Sequence, residues 1–385
     1  MNNQTVIDFI QSFYQTKEFI PLHAPVFCGD EKKYVLDAID STYVSSVGQY
    51  VDDFEKSIEL YTGCAKAVAV VNGTAALHIA LYMAGVERGD LVITQALTFV
   101  ATCNALYHMG AMPVFLDISP LSLGLCPKIT QAWLDENAQL NDKGECIYAA
   151  TGQKIKAIVP MHTFGHPVDL EGFQIVCKQW NITLVEDAAE SLGSLYKNVH
   201  TGTIARFSAL SFNGNKTITT GGGGAILFSD KKDAERAKHI TTTAKVPHLY
   251  EFYHDEAGFN YRMPNLNAAL GCAQMKNLNR FIRCKRYLAS CYANFFKGSQ
   301  YEFFQEPDYA VSNYWLNAVV CENEKVRDKL LQETNDKGVM TRPVWQLMHR
   351  LPMFSKAIKG DLSISESLEK RLVNLPSTPV GVADA

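Results

Sequence analysis

The sequence predicts an α/β fold: a mostly parallel, seven-stranded sheet between layers of helix, followed by a smaller α+β part. Three observations carry this. Short apolar runs rich in β-branched residues alternate with helical stretches from about residue 65; those runs are continuous; and the texture changes after about residue 245. A strand that is apolar at every position is covered on both faces, as in parallel sheets sandwiched by helices.

The elements follow in order. AVAVV (67–71) reads as a buried strand and TAALHIALYMAG (74–85) as the helix after it. LVIT (91–94), PVFLD (113–117), IKAIVPMH (155–162), ITLVEDA (182–188), SALSF (208–212) and GAILFSD (224–230) supply six more strands. GECIYAATGQ (144–153) is expected to form a loop or hairpin inserted in the large domain. Beyond 245, FIRCKRYLASCYANFF (281–296) reads as helix and YWLNAVVC (314–321) as strand. KVRDKLLQETNDKGV (325–339) reads as a helix stopped by Gly338. The expected division is an N-terminal segment with the large domain over 1–245 and a small C-terminal domain over 246–385.

Composition narrows the function classes. A chain of 385 residues exceeds one ordinary core. Its 47% hydrophobic and 20% charged residues are those of a globular protein. A net charge of −4 with scattered basic residues gives no footprint for nucleic acid. The N-terminus MNNQTVIDFIQSFYQTKEF lacks the pattern of a signal peptide, and no apolar run reaches membrane-spanning length. Ten cysteines without a C-x-x-C pair or a Cys/His knuckle argue against zinc and for reduced thiols in a cytoplasmic protein. No metal, membrane or nucleic-acid partner is expected.

Three motifs then carry chemistry. VVNGTAAL (70–77) is a strand, a tight Asn-Gly turn and a helix start, which offers N–H groups and a hydroxyl to an anion. Thr74 could instead simply cap its helix. ITLVEDAAESLGS ends a strand with Glu186 and Asp187, where Asp187 is either a working carboxylate or another cap. FNGNKTITTGGGG places Lys216 among short polar residues, ahead of glycines that permit close backbone approach. A surface lysine is the commoner fate, but a lysine held in a pocket can form a Schiff base with an aldehyde. Neither a P-loop nor a dinucleotide fingerprint is present. An anion cup, a strand-end acid and a lysine are the three needs of pyridoxal 5′-phosphate, which carries a phosphate, a pyridine nitrogen and an aldehyde.

These motifs resemble the DegT/DnrJ/EryC1/StrS family, the sugar-nucleotide aminotransferases of the fold-type I pyridoxal phosphate enzymes. The likeness runs from about residue 20 to about 380. Its signposts are NGTAAL (72–77), TFVATCNA (98–105), HTFGHPVDL (162–170), EDAAESLGS (186–194), SFNGNKTITTGGGG (211–224) and GFNYRMPNLNAALG (258–271). The resemblance implies that Lys216 bonds the cofactor and shuttles the proton, and that Asp187 partners the pyridine nitrogen. Phe99 would stack on the ring, and Glu190 would stand near the ring hydroxyl where glutamine is more frequent. It implies phosphate contacts at Gly73, Thr74 and Ser211, and at Asn260 from a neighbouring subunit, hence a homodimer with a shared active site. His162 is a candidate substrate contact; a histidine after an apolar strand is more often structural.

The segment 20–55 resembles a subgroup that aminates C4 of a UDP-linked 4-keto-6-deoxy-N-acetylhexosamine for bacillosamine- or legionaminic-type surface polysaccharide. Ser45 and Arg342 are candidate substrate contacts, Arg342 for the nucleotide diphosphate or else for an interface ion pair. Glutamate is the expected amino donor. The alternatives are a 3- or 4-aminotransferase acting on a dTDP- or GDP-linked keto-sugar, or a non-catalytic regulator that binds the cofactor.

Overall fold

The computed structural model describes residues 1–380, so residues 381–385 of the expected C-terminal domain lie outside it. The central sheet has eight strands. Their spatial order is Lys66–Val70, Gly224–Phe228, Phe207–Ser211, Thr183–Asp187, Ile155–Val159, Leu91–Gln95, Met112–Leu116 and Ile358–Lys359. Gly224–Phe228 alone runs against its neighbours; the other pairings are parallel. All seven expected strands are present. The eighth is two residues long and pairs Ile358 with Val114, too short to show a periodicity of its own. The expected strand 155–162 stops at Val159, where Pro160 has no N–H to extend the ladder.

The helix Gly73–Met83 is buried from Ala75 to Leu81 and packs on the sheet between the strand ends and the Val100–Met109 helix. A helix apolar on nearly every side belongs inside. Its cap is Asn72, whose side chain accepts the Ala75 N–H at 2.7 Å, so Thr74 is not needed for that task. The insert expected at 144–153 is a hairpin of Ala138–Leu140 with Cys146–Tyr148.

The C-terminal part is an antiparallel sheet in the order Tyr301–Phe303, Asn317–Cys321, Leu372–Leu375, Arg342–Pro343. The expected boundary at 245 is crossed at several places, the pairing of Ala310–Val311 with Leu195–Tyr196 among them. The N-terminal helix Asn3–Tyr14 buries Val6, Ile7 and Ile10 against Tyr292, Val319 and Val373, and Ile358–Lys359 returns to the large sheet. The helix expected at 281–296 is the second half of Asn265–Phe296, 32 residues long. Its first half holds Asn and Gly residues, which are poor helix formers. Gly271 is there for proximity, since a Cβ would stand 2.6 Å from the Phe54 ring of the Gln49–Thr62 helix.

Asp117, 1% exposed at the end of Met112–Leu116, joins the two parts. It accepts the N–H groups of Ile364 (2.8 Å) and Ser365 (2.9 Å) and the Ser365 hydroxyl. The helix Ser363–Glu369 has no capping side chain of its own, so a carboxylate from the large sheet satisfies its first turn. Replacing Asp117 with Ala leaves those buried donors unpaired and should cost about 2–4 kcal/mol. Urea midpoints at one fixed protein concentration measure this; a loss under about 0.5 kcal/mol would refute the role.

Candidate active site

Four strands of the sheet end on one side, and the loops after them converge on a cavity of about 380 Å³. Asn72, Gly73 and Thr74 follow Lys66–Val70; Phe99 follows Leu91–Gln95; Asp187 and Glu190 follow Thr183; Ser211 and Lys216 follow Phe207. Trp315 and Trp345 of the C-terminal part close the space. The carboxyl edge of a parallel sheet is where α/β proteins bind ligands. A larger, shallower groove of about 770 Å³ lies by the N-terminal helix, lined by Gln4, Lys329 and Glu333, but it gathers none of the motif residues.

Lys216 is held by its loop. Its N–H donates to Asn213 O at 3.0 Å, and the Trp315 indole N–H donates to Asn215 O at 2.6 Å. The ammonium lies 3.9 Å from the Trp315 ring centroid and 3.2 Å from Glu190 Oε1. The ring face is worth about 1–2 kcal/mol to a cation, less than the several kcal/mol that a desolvated ion costs. Glu190 is the carboxylate in direct contact with Lys216 Nζ. The other carboxylate oxygen, Oε2, accepts the Phe164 N–H at 2.9 Å. Burial pushes the Glu190 carboxyl up to about 7, against the opposing pull of Lys216 and the Phe164 N–H, and Asp187 adds to the rise.

Asp187 forms the floor. Its Oδ2 accepts the Thr102 hydroxyl at 2.7 Å and its Oδ1 the Ala189 N–H at 3.2 Å. Burial raises its carboxyl above the ordinary range, while Thr102 and Ala189 hold it back. Glu186, one residue earlier on the strand, faces the opposite way and is fully buried. It accepts the N–H groups of Gly202 (2.7 Å), Ile204 (3.0 Å) and Ala205 (2.7 Å) and pairs with His162 Nε2 at 3.0 Å. Burial works to raise its carboxyl, but His162 and the backbone donors hold it below the usual value.

The structure thus brings together Gly73, Thr74, Phe99, Asp187, Glu190, Ser211 and Lys216. It does not bring the remaining candidates there. His162 is fully buried, with Nδ1 accepting the Val168 N–H at 3.2 Å and Nε2 on Glu186, and lies outside the cavity lining. Its surroundings are those of a structural histidine. Ser45 and Arg342 are exposed and line no part of the cavity. Asn260 is exposed too, in an isolated antiparallel bridge with Thr242. Sequence reasoning missed Thr102, Trp315 and Trp345. Thr102 lies within TFVATCNA, three residues after Phe99, which is one helical turn and the available signal. The tryptophans come from a distant part of the chain, with no local pattern to mark them.

The residues fit pyridoxal phosphate. A Cβ on Gly73 would lie 2.8 Å from Ser211 Cβ, and one on Gly224 2.5 Å from Asn72 O, so only glycine lets these backbones meet. The N–H groups of a helix's first turn lack intrahelical partners and, here beside Thr74 and Ser211, form an anion cradle. An acid on the floor and a lysine on the wall complete the set. Among the described residues one cluster, His239, Asp255 and Glu256, has metal-ligand spacing. Arg236 pairs with Glu256 and His239 with Asp255, so ion pairs account for it.

Comparison with known proteins agrees. The profile of the DegT/DnrJ/EryC1/StrS aminotransferase family matches residues 27–382. The chain belongs to that family. It is a pyridoxal-phosphate-dependent aminotransferase of fold type I. The chain is 35% identical over 362 residues to the GDP-perosamine synthase of Escherichia coli O157:H7, covering 94% of each chain. It is 32% identical over 368 residues to the GDP-perosamine synthase of Vibrio cholerae, covering 95% of each. Among solved structures it is similar to the aminotransferase TlmJ of Streptoalloteichus hindustanus, with a TM-score of 0.84 at 25% identity over 93% of each chain.

The titration of Glu190 has a measurable consequence. Its carboxyl titrates near 7 when folded and near 4.5 when unfolded. The folded state binds the extra proton between those values, so this group lowers stability as pH rises from about 4.5 to about 7 and not beyond. Glu190→Gln removes that slope. The variant should gain about 2–3 kcal/mol relative to wild type between pH 5 and pH 8, measured by urea midpoints on cofactor-free protein. An unchanged difference across that range would show that Glu190 titrates normally.

Proposed function

We propose that this chain transfers an amino group from glutamate to the keto carbon of a GDP-linked 4-keto-6-deoxyhexose, acting as a homodimer. The observation that carries the reaction class is the grouping of Lys216, Glu190 and Asp187 in one cavity beside the Gly73–Thr74–Ser211 cradle. The nucleotide rests on relatives named GDP-perosamine synthase. The UDP-linked sugar expected from segment 20–55 has no such support and gives way to the GDP-linked alternative.

In this reading Gly73, Thr74 and Ser211 hold the phosphate, Phe99 faces the ring, Asp187 takes the ring nitrogen and Lys216 the aldehyde. Bound there, pyridoxal phosphate supplies a carbonyl for amines and an electron-accepting ring. The chain supplies the rest. Lys216 Nζ, once neutral, accepts the proton from the α-carbon of the donor and later delivers one to the sugar carbon. Asp187, anchored by Thr102, keeps a negative charge where positive charge is wanted. Trp315 and Trp345 wall the cavity and keep water from the reacting atoms.

The dimer reading rests on Asn260 and its surroundings. Asn260 is exposed, and Leu249, Tyr250, Phe252 and Tyr253, which precede it, are among the most exposed apolar residues of the chain. A cluster of that kind marks an interaction surface. We assign Asn260 to the phosphate site of the second copy.

Lys216→Ala should abolish amination of every keto-sugar, and the purified variant should lack the visible absorbance of the wild type. Turnover near wild type in that variant removes Lys216 from the mechanism. Offered GDP-, UDP- and dTDP-linked keto-sugars with glutamate, the enzyme should aminate the GDP sugar at least about tenfold more efficiently (kcat/KM), a difference of about 1.4 kcal/mol in transition-state binding. A preference for UDP would restore the other reading. Mixing Lys216→Ala with Asn260→Ala subunits should recover about a quarter of wild-type activity, because a random heterodimer holds one intact site. No recovery would place Asn260 outside the shared site.

A further inference from the structure

Lys216 has to lose a proton before its amine can act, and the cavity offers a specific place for that proton to go. We propose that Glu190 is the resident acceptor: the N–H bond broken at Lys216 Nζ is replaced by an O–H bond at Glu190 Oε1. The amine then becomes neutral while the proton stays in the site. The proposal rests on the reading of Lys216 as the reactive amine.

The geometry is that of a fixed pair. Oε1 stands 3.2 Å from Nζ, within direct transfer distance. Oε2 is occupied by the Phe164 N–H, a donor that cannot receive a proton, so the carboxyl is oriented with one oxygen left for Lys216. The Glu190 side chain is 1% exposed and that of Lys216 12%, so water competes weakly at either end. In such surroundings two opposite charges are both desolvated, and the neutral pair, acid plus amine, approaches the ion pair in free energy. Transfer leaves the net charge of the cavity unchanged.

Other charged groups shape this balance without replacing Glu190. Asp187 stands on the cavity floor, engaged by Thr102 and Ala189, and its charge disfavours a second carboxylate nearby. His162 and Glu186 lie behind the same strand as a closed pair. His23, from the N-terminal segment, is kept uncharged by burial, with Lys285 and Lys216 adding to that effect. Burial also favours the neutral form of Lys285, which donates to the Trp315 and Ser377 carbonyls. The Trp315 ring under Nζ favours the ammonium and keeps the transfer reversible. Asp187, Glu190 and Lys216 are the titratable residues that line the cavity, and Glu190 is the one bonded to Lys216.

A shared proton has a signature that a solitary lysine lacks. While the pair holds one proton between its two members, the fraction of neutral amine is set by an internal equilibrium and does not change with pH. A lysine beside an amide instead gains neutral amine tenfold with each pH unit below its titration. Protein stripped of cofactor is to be reductively methylated with formaldehyde and cyanoborohydride from pH 7.5 to pH 9. The Lys216 peptide is quantified by mass spectrometry, with Lys329, exposed at 71%, as an internal reference. Wild type should change less than about threefold across that range, and Glu190→Gln about thirtyfold. Equal slopes in the two proteins overturn the proposal. Should Glu190→Gln fail to fold, the wild-type profile decides alone, because a tenfold rise per pH unit is incompatible with a shared proton. The readout is independent of turnover: if Lys216→Ala still aminates sugars, the functional reading fails whatever the methylation profile shows.

Discussion

Two adjacent carboxyl groups at the end of one buried strand organise this molecule. Glu186 and Asp187 lie in the middle of the sheet, and alternation along a strand sends their side chains to opposite faces. Neither can remain there unpaired. Glu186 is met by His162 and by three N–H groups of the turn at Gly202–Ala205, which fixes the path of the chain into the next strand. Asp187 is met by Thr102 and Ala189 and otherwise opens to the cavity. The same pair of residues thus sets a structural joint on one side and the floor of the cavity on the other.

The cavity is completed by residues far apart in sequence. Asn313 donates to the carbonyls of Glu190 and Leu192 and accepts the Trp315 N–H, tying the turn after Asp187 to the segment that carries Trp315. Trp315 in turn holds the Lys216 loop through Asn215 and lies under the lysine amine. Trp345 packs on Phe164 and Phe99 from the far wall. The surroundings of Lys216 Nζ therefore come from both parts of the chain: Glu190 comes from the large sheet and the aromatic face from the C-terminal part.

Much of this was legible in the sequence. The seven long strands were visible because burial on both faces demands unbroken apolar runs, and the Gly73–Thr74 turn, Asp187, Lys216 and the glycines after it stood at strand ends where α/β sheets place ligands. Ile358–Lys359 and the first half of Asn265–Phe296 were not legible. The first is too short to carry a period, and the second carries Gly271, whose reason is the Phe54 ring of a neighbouring helix. His162 looked equivocal for a related cause: nothing in HTFGHPVDL says that its partner is the residue next to Asp187.

The sequence by itself determined the class of fold and the cofactor chemistry and singled out Lys216 and Asp187 as candidates, because those follow from local pattern: hydrophobic period, turn residues and the position of a polar group at a strand end. Tertiary structure alone decided which of the two adjacent carboxyls lines the cavity, that Glu190 and Lys216 touch, and that two tryptophans enclose them. Orientation, distance and desolvation belong to neighbours brought together by packing, and a charge in a protein takes its chemistry from those neighbours.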